Sequence, residues 1–453
     1  MTDSRTIAAI ATGRGGGIGV VRLSGRAAIS ITESIFRGKK SPKDMNGYTG
    51  TLGRVHDSRG ELDEAVLFVY RAPHSYTGED VCELSCHGGS FILEKVLAAA
   101  VEAGAVPAGA GEFTKRAFLN GKLSLTQAES VVQLISGESR QAVNAALEAH
   151  DGALLRTITE INIELMNAAA HISAWIDYPE EDVEEVLTCD LSHTLGAAQQ
   201  RLAALVNSYD AGRLLREGIS TAIVGSPNVG KSTLMNLLAG YERSIVTDIA
   251  GTTRDVIEDR VRLGDLLLNL SDTAGIHNTD DVVEKIGVAR SVSRLEQCDL
   301  ILAIFDGSRP LSESDESLLC RLDGRLALGL CNKSDLPRAA DMEKIRRHTC
   351  GVLEISAREG RGVKELEQTI GELVGTNKLE SGAAMLANTR QLGCVVSAIK
   401  ALEEALNALS YGQTLDAVSV SLEEAIDALL ELTGKKASAE IIDRVFEQFC
   451  VGK

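Results

Sequence analysis

Eight consecutive residues, Gly225 to Ser232 (GSPNVGKS), combine glycines, a lysine and a hydroxyl at a spacing suited to gripping phosphate. The six residues before them, Ile219 to Val224, read as a buried strand, and Thr233 to Leu238 after them as an apolar helix. That is the strand, loop and helix context a phosphate loop requires. In such a loop the backbone amides of the glycine turn and the helix N-terminus point at a β-phosphate. Lys231 bridges β- and γ-phosphates, and the Ser232 hydroxyl ligates Mg²⁺. Asn228, Val229, Gly230 and Thr233 complete the stretch expected to line the phosphates.

Further motifs follow in a fixed order. Asp272-Thr273-Ala274-Gly275 ends the apolar strand Leu266 to Leu270, where a carboxylate reaches Mg²⁺ through water and a glycine amide senses the γ-phosphate. Between the two motifs lies a switch segment, in which Thr247, Asp248, Ile249, Ala250, Gly251 and Thr252 lead to Thr253, a second hydroxyl for Mg²⁺. Asn332-Lys333-Ser334-Asp335 follows the strand Leu326 to Cys331. Asp335 can accept two hydrogen bonds from the N1 and N2 edge of guanine, and adenine has no matching donor pair, so GTP is selected over ATP. Ser356, Ala357 and Arg358, after the strand Gly351 to Ile355, are in the right order to close over the base. These five motifs in the correct order, four of them directly after a strand, point to a GTPase.

One position limits the mechanism. Ras-like GTPases place a Gln directly after the second motif to orient the attacking water. Here the residue is Ile276, whose apolar side chain cannot do so. Water positioning and charge neutralisation must come from elsewhere, or hydrolysis is slow. Arg254 is a candidate charge, with a solvated loop arginine as the alternative, and Glu284 is a candidate to hold the water, with an ordinary surface acid as the alternative.

The elements that must position these residues divide the 453-residue chain, which is too long for one hydrophobic core. Residues 1–120 mix short apolar runs such as Ile18 to Leu23 and Ala65 to Tyr70 with glycine breaks, an α+β pattern. From residue 121 to 215 helical spacing takes over, opened by an expected capping box at Thr126 and Glu129 and including a helix Leu191 to Val206, with the acidic stretch Pro179 to Val186 between. The nucleotide motifs occupy 216–377, and helical spacing returns over 378–453. The economical arrangement is one all-α helical domain split in sequence, with an α/β Ras-like GTPase inserted into it.

Composition agrees with a multidomain chain of ordinary polarity, 44% hydrophobic and 24% charged. No apolar run approaches the ~18 residues that span a bilayer, the start lacks a signal-peptide pattern, and nine cysteines form no spaced framework. A cytoplasmic location without membrane association is expected. The net charge of -18 is uneven: residues 1–122 carry 15 basic and 13 acidic side chains, and residues 123–215 carry 4 and 14. A phosphate-rich partner is therefore repelled by the middle of the chain.

The whole chain resembles the MnmE (TrmE) family of tRNA modification GTPases. The likeness is carried by ATGRGGGIGVVRLSG, TGEDVCELSCHGG, GEFTKRAFLNGKLSLTQAE, LLREG, GTTRDV and the terminal FCVGK. The resemblance implies an N-terminal tetrahydrofolate-binding domain that also makes a homodimer, a split helical domain and an inserted GTPase domain. It implies work with an FAD-dependent MnmG (GidA) partner, adding an aminomethyl or carboxymethylaminomethyl group at C5 of the wobble uridine of certain tRNAs. The one-carbon unit would come from a tetrahydrofolate derivative, 5,10-methylene- or 5-formyl-tetrahydrofolate at the binding site.

The resemblance also supplies what Ile276 lacks. GTP-bound GTPase domains of the family pair across the dimer with a K⁺ ion in place of an arginine finger, and the matching positions are Asn228, Thr247, Ile249 and Thr252. Glu284 matches the family's water-positioning Glu. The folate positions carry over to Arg22, Glu83, Lys122 and Lys453, and residue types that pair with a glutamate tail or a pterin edge suit them. Lys453, the last residue, is expected to dock rather than fray. Cys450 matches a C-terminal cysteine considered for the modification chemistry, and the alternative is a small buried hydrophobe on the helix Ala439 to Phe449.

Two other patterns carry nothing. Cys82 and Cys86-His87 lack the further ligands a tetrahedral metal site needs, and the Gly13 to Gly19 run is a poor dinucleotide fingerprint. A competing class, the RNA-binding ribosome-assembly GTPases, commonly carries a basic RNA module, whereas the C-terminal segment here has 7 basic against 11 acidic residues.

Overall fold

The structure, a computed structural model, describes residues 5–13, 15–177, 187–241, 259–271, 298–375 and 384–453. Two compact units emerge: residues 1–132, 149–200 and 393–453 form one, and 133–148 with 201–392 form the other.

The first unit contains seven strands: β1 (Ile7–Ile10), β2 (Ile18–Ser24), β3 (Phe36–Gly38), β4 (Thr49–Asp57), β5 (Gly60–Tyr70), β6 (Val81–His87) and β7 (Val106–Pro107). They lie in the order β3-β4-β5-β6-β2-β1-β7, antiparallel except for the parallel β1/β7 pair. Alternation along β2 sends Val21 and Leu23 into the core, where they meet Leu67, Leu84, Leu93 and Val96. Val20 and Arg22 therefore occupy the opposite face, opposite Ser85 and Glu83 of β6.

The same unit holds the long helices Ala153–Asp177 and Leu415–Thr433, which pack together although the inserted unit separates them in sequence. Ile158, Ile161, Leu165 and Ile172 recur at helical spacing on one face of the first, as do Val418, Leu422, Ala425 and Leu429 on the second, and all are buried. The expected helical domain is thus built from both blocks. The capping box sits two residues earlier than expected. Ser124 N–H donates to Gln127 Oε1 at 3.0 Å and Gln127 N–H to Ser124 Oγ at 3.2 Å, because the helix already begins at Leu125 and buries Thr126 and Glu129. The helix expected over Leu191 to Val206 runs from Thr188 to Glu217, since the apolar spacing continues through Tyr209 and Leu215.

The second unit is a six-stranded sheet of β8 (Ile219–Val224), β9 (Asp259–Leu263), β10 (Leu266–Ser271), β11 (Leu300–Asp306), β12 (Ala327–Asn332) and β13 (Val352–Glu354). The order is β13-β12-β11-β8-β10-β9, parallel apart from the β9/β10 hairpin. Every residue of β11 and β12 is buried, as expected for central parallel strands covered on both faces. Leu302, Ile304, Leu328 and Leu330 meet the helices Lys231–Tyr241 and Val363–Leu373 on one side. Ile301, Ala303, Phe305 and Ala327 meet Glu313–Leu322 and Met342–His348 on the other. The result is the doubly covered α/β sheet that the motif order implied. No helix among the described residues is long and apolar enough to cross a membrane.

Candidate functional site

The phosphate loop leaves β8 at Gly225, whose φ of +156° and ideal Cβ position 2.3 Å from the Ile304 carbonyl oxygen admit only glycine. Asn228 takes the left-handed region with φ +64°, and Gly230 follows at +102°. The helix then begins at Lys231, so its first-turn amides lack partners in the preceding turn and face the loop's concavity. Lys231 Nζ donates to the Gly225 carbonyl at 2.6 Å and the Ser226 carbonyl at 2.9 Å. Burial pulls its ammonium below the usual lysine range. An ammonium held half-desolvated over backbone carbonyls gains from an anion, so the cradle suits phosphate. Ser232 and Thr233 lie exposed on the first turn.

Asn332 ties this loop to the base-recognition segments. Its Nδ2 donates to the Val229 carbonyl at 2.8 Å, and its Oδ1 accepts from the Ala357 N–H at 2.9 Å. A Cβ at Gly230 would lie 2.2 Å from that Nδ2, which explains the glycine there. Lys333, in the left-handed region with φ +67°, pairs with Asp306 at 2.6 Å. Burial raises the Asp306 carboxyl, but hydrogen bonds from Lys333 and Ser308 outweigh it and leave the group below the usual range.

Asp335 accepts from Ser356 Oγ at 2.7 Å, and that hydrogen bond holds its carboxyl below the ordinary value. Asp335 and Arg358 are exposed, while Ser356 and Ala357 are buried. The arrangement presents an ionised carboxylate, fixed by one oxygen, to a ligand's hydrogen-bond donors. Together the phosphate loop, Asn332, Asp335 and Ser356 to Arg358 form one continuous site. Thr247 to Thr253, Arg254, Asp272 to Gly275, Ile276 and Glu284 lie outside the described residues.

The first unit holds a separate cluster. Arg22 Nε donates to Glu83 Oε1 at 2.7 Å across the β2/β6 register, and Arg22 Nη1 reaches the Gly452 carbonyl at 3.5 Å. The guanidinium lies over the rings of Tyr76 and Phe113, at 5.9 and 5.5 Å. Tyr70 Oη donates to Glu83 Oε2 at 3.5 Å, and burial followed by the Glu83 charge raises its phenol above the usual range.

The last residues dock beside this cluster. Ala110 and Val451 form a bridge, Phe113 N–H donates to the Lys453 carbonyl at 3.2 Å, and Gly452 has φ +97° with its ideal Cβ 2.4 Å from the Ile10 carbonyl. Arg22, Glu83 and the Gly452-Lys453 end thus come together. Lys122 Nζ instead donates to the Pro73 carbonyl at 3.2 Å, on the loop that carries Tyr76.

Cys450 is exposed beyond the helix Ala439–Phe446, so it is not a buried hydrophobe, and its carbonyl accepts from Gly111 N–H at 3.3 Å. The thiols of Cys82 and Cys86 lie in the core, pushed by burial to about 11 and about 12, while His87 pairs with Asp63 on the other face. Sequence reasoning missed Tyr70, Tyr76 and Phe113, because single aromatics carry no spacing signal. Gly452, between Val451 and Lys453, was the one local hint.

A family model described as the MnmE helical domain matches residues 125–450, and one described as the GTP-binding protein TrmE N-terminus matches residues 6–122. The chain belongs to the MnmE (TrmE) family. Relatives include the tRNA modification GTPase MnmE of Acetivibrio thermocellus, 38% identical with 100% of both chains covered. The protein of the same name from Geobacillus kaustophilus is 41% identical, again over 100% of both. Among solved structures, Era in complex with MgGDPNP and a 16S ribosomal RNA fragment is 27% identical over 40% of this chain and 66% of that one, with a TM-score of 0.28.

Proposed function

We propose that this protein is a GTP-hydrolysing enzyme of tRNA wobble-uridine modification. The observation that carries the GTPase part is Asn332, which joins the phosphate loop at Val229 to the base-recognition segment at Ala357 in one hydrogen-bonded frame. Phosphate grip and guanine selection are then set by a single rigid unit, with Asp335 aimed at the N1 and N2 donors. Ser232, with Thr253, would hold Mg²⁺, whose charge offsets the negative charge on the β- and γ-phosphates. Asn228, exposed on the lip of the loop, with Thr247, Ile249 and Thr252 would hold K⁺, supplying the positive charge that no arginine delivers. Glu284 would hold the attacking water.

The cluster of Arg22, Glu83, Lys122 and the Gly452-Lys453 end would bind a tetrahydrofolate derivative. The guanidinium within reach of two rings and beside a carboxylate supports a ligand that is aromatic, polar at one edge and anionic at its tail. Val20 shares its sheet face with Val66 and the exposed Phe68 and Leu52, apolar side chains beside the Arg22–Glu83 pair that support pairing with a second copy. Cys450, exposed beside this end, would be free to react. The carbon chemistry would proceed with an FAD-dependent MnmG-type partner and tRNA, with GTP hydrolysis driving a conformational step.

Nucleoside mass spectrometry of tRNA from cells lacking the gene tests the reading. The C5-substituted wobble uridines are expected to disappear and to return on complementation. Unchanged wobble uridines would overturn it.

A further inference from the structure

Asp315, 2% exposed, lies behind the phosphate loop on the first turn of the helix Glu313–Leu322. Its Oδ1 accepts from Ser226 Oγ at 2.6 Å, and its Oδ2 accepts from the Ser312 N–H at 3.0 Å and Ser312 Oγ at 2.7 Å. Ser312 returns the contact by accepting from the Asp315 N–H at 3.3 Å, which completes a capping box. Burial alone would raise the Asp315 carboxyl. The hydrogen bonds from Ser226 and Ser312, with the Arg309 charge, outweigh it and keep the group ionised at neutral pH.

Ser226 is itself 8% exposed and is the second residue of the phosphate loop. Its side chain is tied to Asp315 while its carbonyl accepts from Lys231 Nζ at 2.9 Å. The loop from Gly225 to Gly230 contains two glycines and a left-handed Asn228, and although Pro227 already fixes one φ, the two glycines leave backbone freedom to lose on closing around phosphate.

We propose that Asp315 is a positioning residue of the nucleotide site: through Ser226 it fixes the start of the phosphate loop in its anion-receiving shape before any phosphate arrives. The inference rests on the reading of Gly225 to Ser232 as a guanine nucleotide's phosphate cradle. A buried hydrogen bond to an ionised acceptor is among the stronger kinds, and it removes loop freedom in the free protein that binding would otherwise remove. GDP and GTP enter the same loop, so their affinities move together. The capping role of Asp315 is separable, because Ser312 and Ser226 engage different carboxylate oxygens.

The test uses the full chain with Ser226→Ala and Ser312→Ala. Dissociation constants for fluorescent GDP and a non-hydrolysable GTP analogue are measured together with thermal unfolding. Ser226→Ala loses a buried hydrogen bond and Ser312→Ala a half-buried one with the helix cap, and both should melt a few degrees lower. Only Ser226→Ala should weaken both nucleotides, by roughly tenfold to a hundredfold, the scale of a hydrogen bond to a charged group. Wild-type affinity in Ser226→Ala, or equal affinity losses in the two variants, would overturn the positioning role. Failure of the wild-type protein to bind guanine nucleotide would instead overturn the reading beneath it, and the inference with it.

Discussion

Replacing Asn332 by alanine is the sharpest probe of how this nucleotide site is held. Asn332 is 3% exposed and makes both of its side-chain hydrogen bonds to backbone, at Val229 and Ala357. Alanine removes both partners and leaves one carbonyl and one N–H buried in a space that water does not readily enter. Each orphaned group costs about 1–3 kcal/mol, so the variant should lose about 2–6 kcal/mol. For a unit of this size, at about 2–4 °C per kcal/mol, that corresponds to a fall of roughly 4–24 °C in melting temperature. Asn332→Asp keeps the acceptor for Ala357 but sets an oxygen against the Val229 carbonyl, so it should be no better.

The assay is thermal unfolding of the nucleotide-free chain together with hydrogen exchange over the segment around Ala357. The Ala357 amide should exchange much faster in both variants, and guanine-nucleotide affinity should fall because the loop and the base segment are no longer joined. A nucleotide-free Asn332→Ala protein that melts within about 1 °C of wild type, against the shift expected for lost buried hydrogen bonds, with unchanged exchange at Ala357, would refute the bridging role.

Two further outcomes are expected. Gly452→Ala places a Cβ against the Ile10 carbonyl at a positive φ, strain of about 1–3 kcal/mol that should lift the terminal residues and weaken tetrahydrofolate binding by roughly tenfold or more. Titration calorimetry measures this, nucleotide affinity on the same sample reports whether the rest of the chain is folded, and undiminished folate binding would remove Gly452-Lys453 from the site. GTP turnover should rise sharply in K⁺ over Na⁺ and with protein concentration, and equal rates in the two salts would remove the cation role of Asn228.

Much of the second unit was legible in the sequence. Central parallel strands must be apolar along their whole length, and β12 reads that way in the strand expected over Leu326 to Cys331, whereas β11 was not singled out. The phosphate loop is legible because its chemistry is local: glycines where a Cβ would strike Ile304 or Asn332, then a helix whose first amides point at the anion. The split helical domain was legible through its 3.6-residue apolar spacing, although the exact start at Ser124 was not, since Ser-x-x-Gln and Thr-x-x-Glu are equally good caps in sequence.

Only the tertiary structure decided which distant residues meet. Ser226 and Asp315 are 89 positions apart, Asn332 and Val229 are 103 apart, and Arg22 reaches Gly452 across 430. Tyr76 and Phe113 stack on Arg22 without any shared pattern in the chain. Periodicity, capping and glycine conformation are written by near neighbours, whose geometry the backbone itself imposes. Long-range polar pairs depend on strand register and on where a loop or terminal segment crosses a sheet, so the sequence supplies the partners and the packed core brings them together.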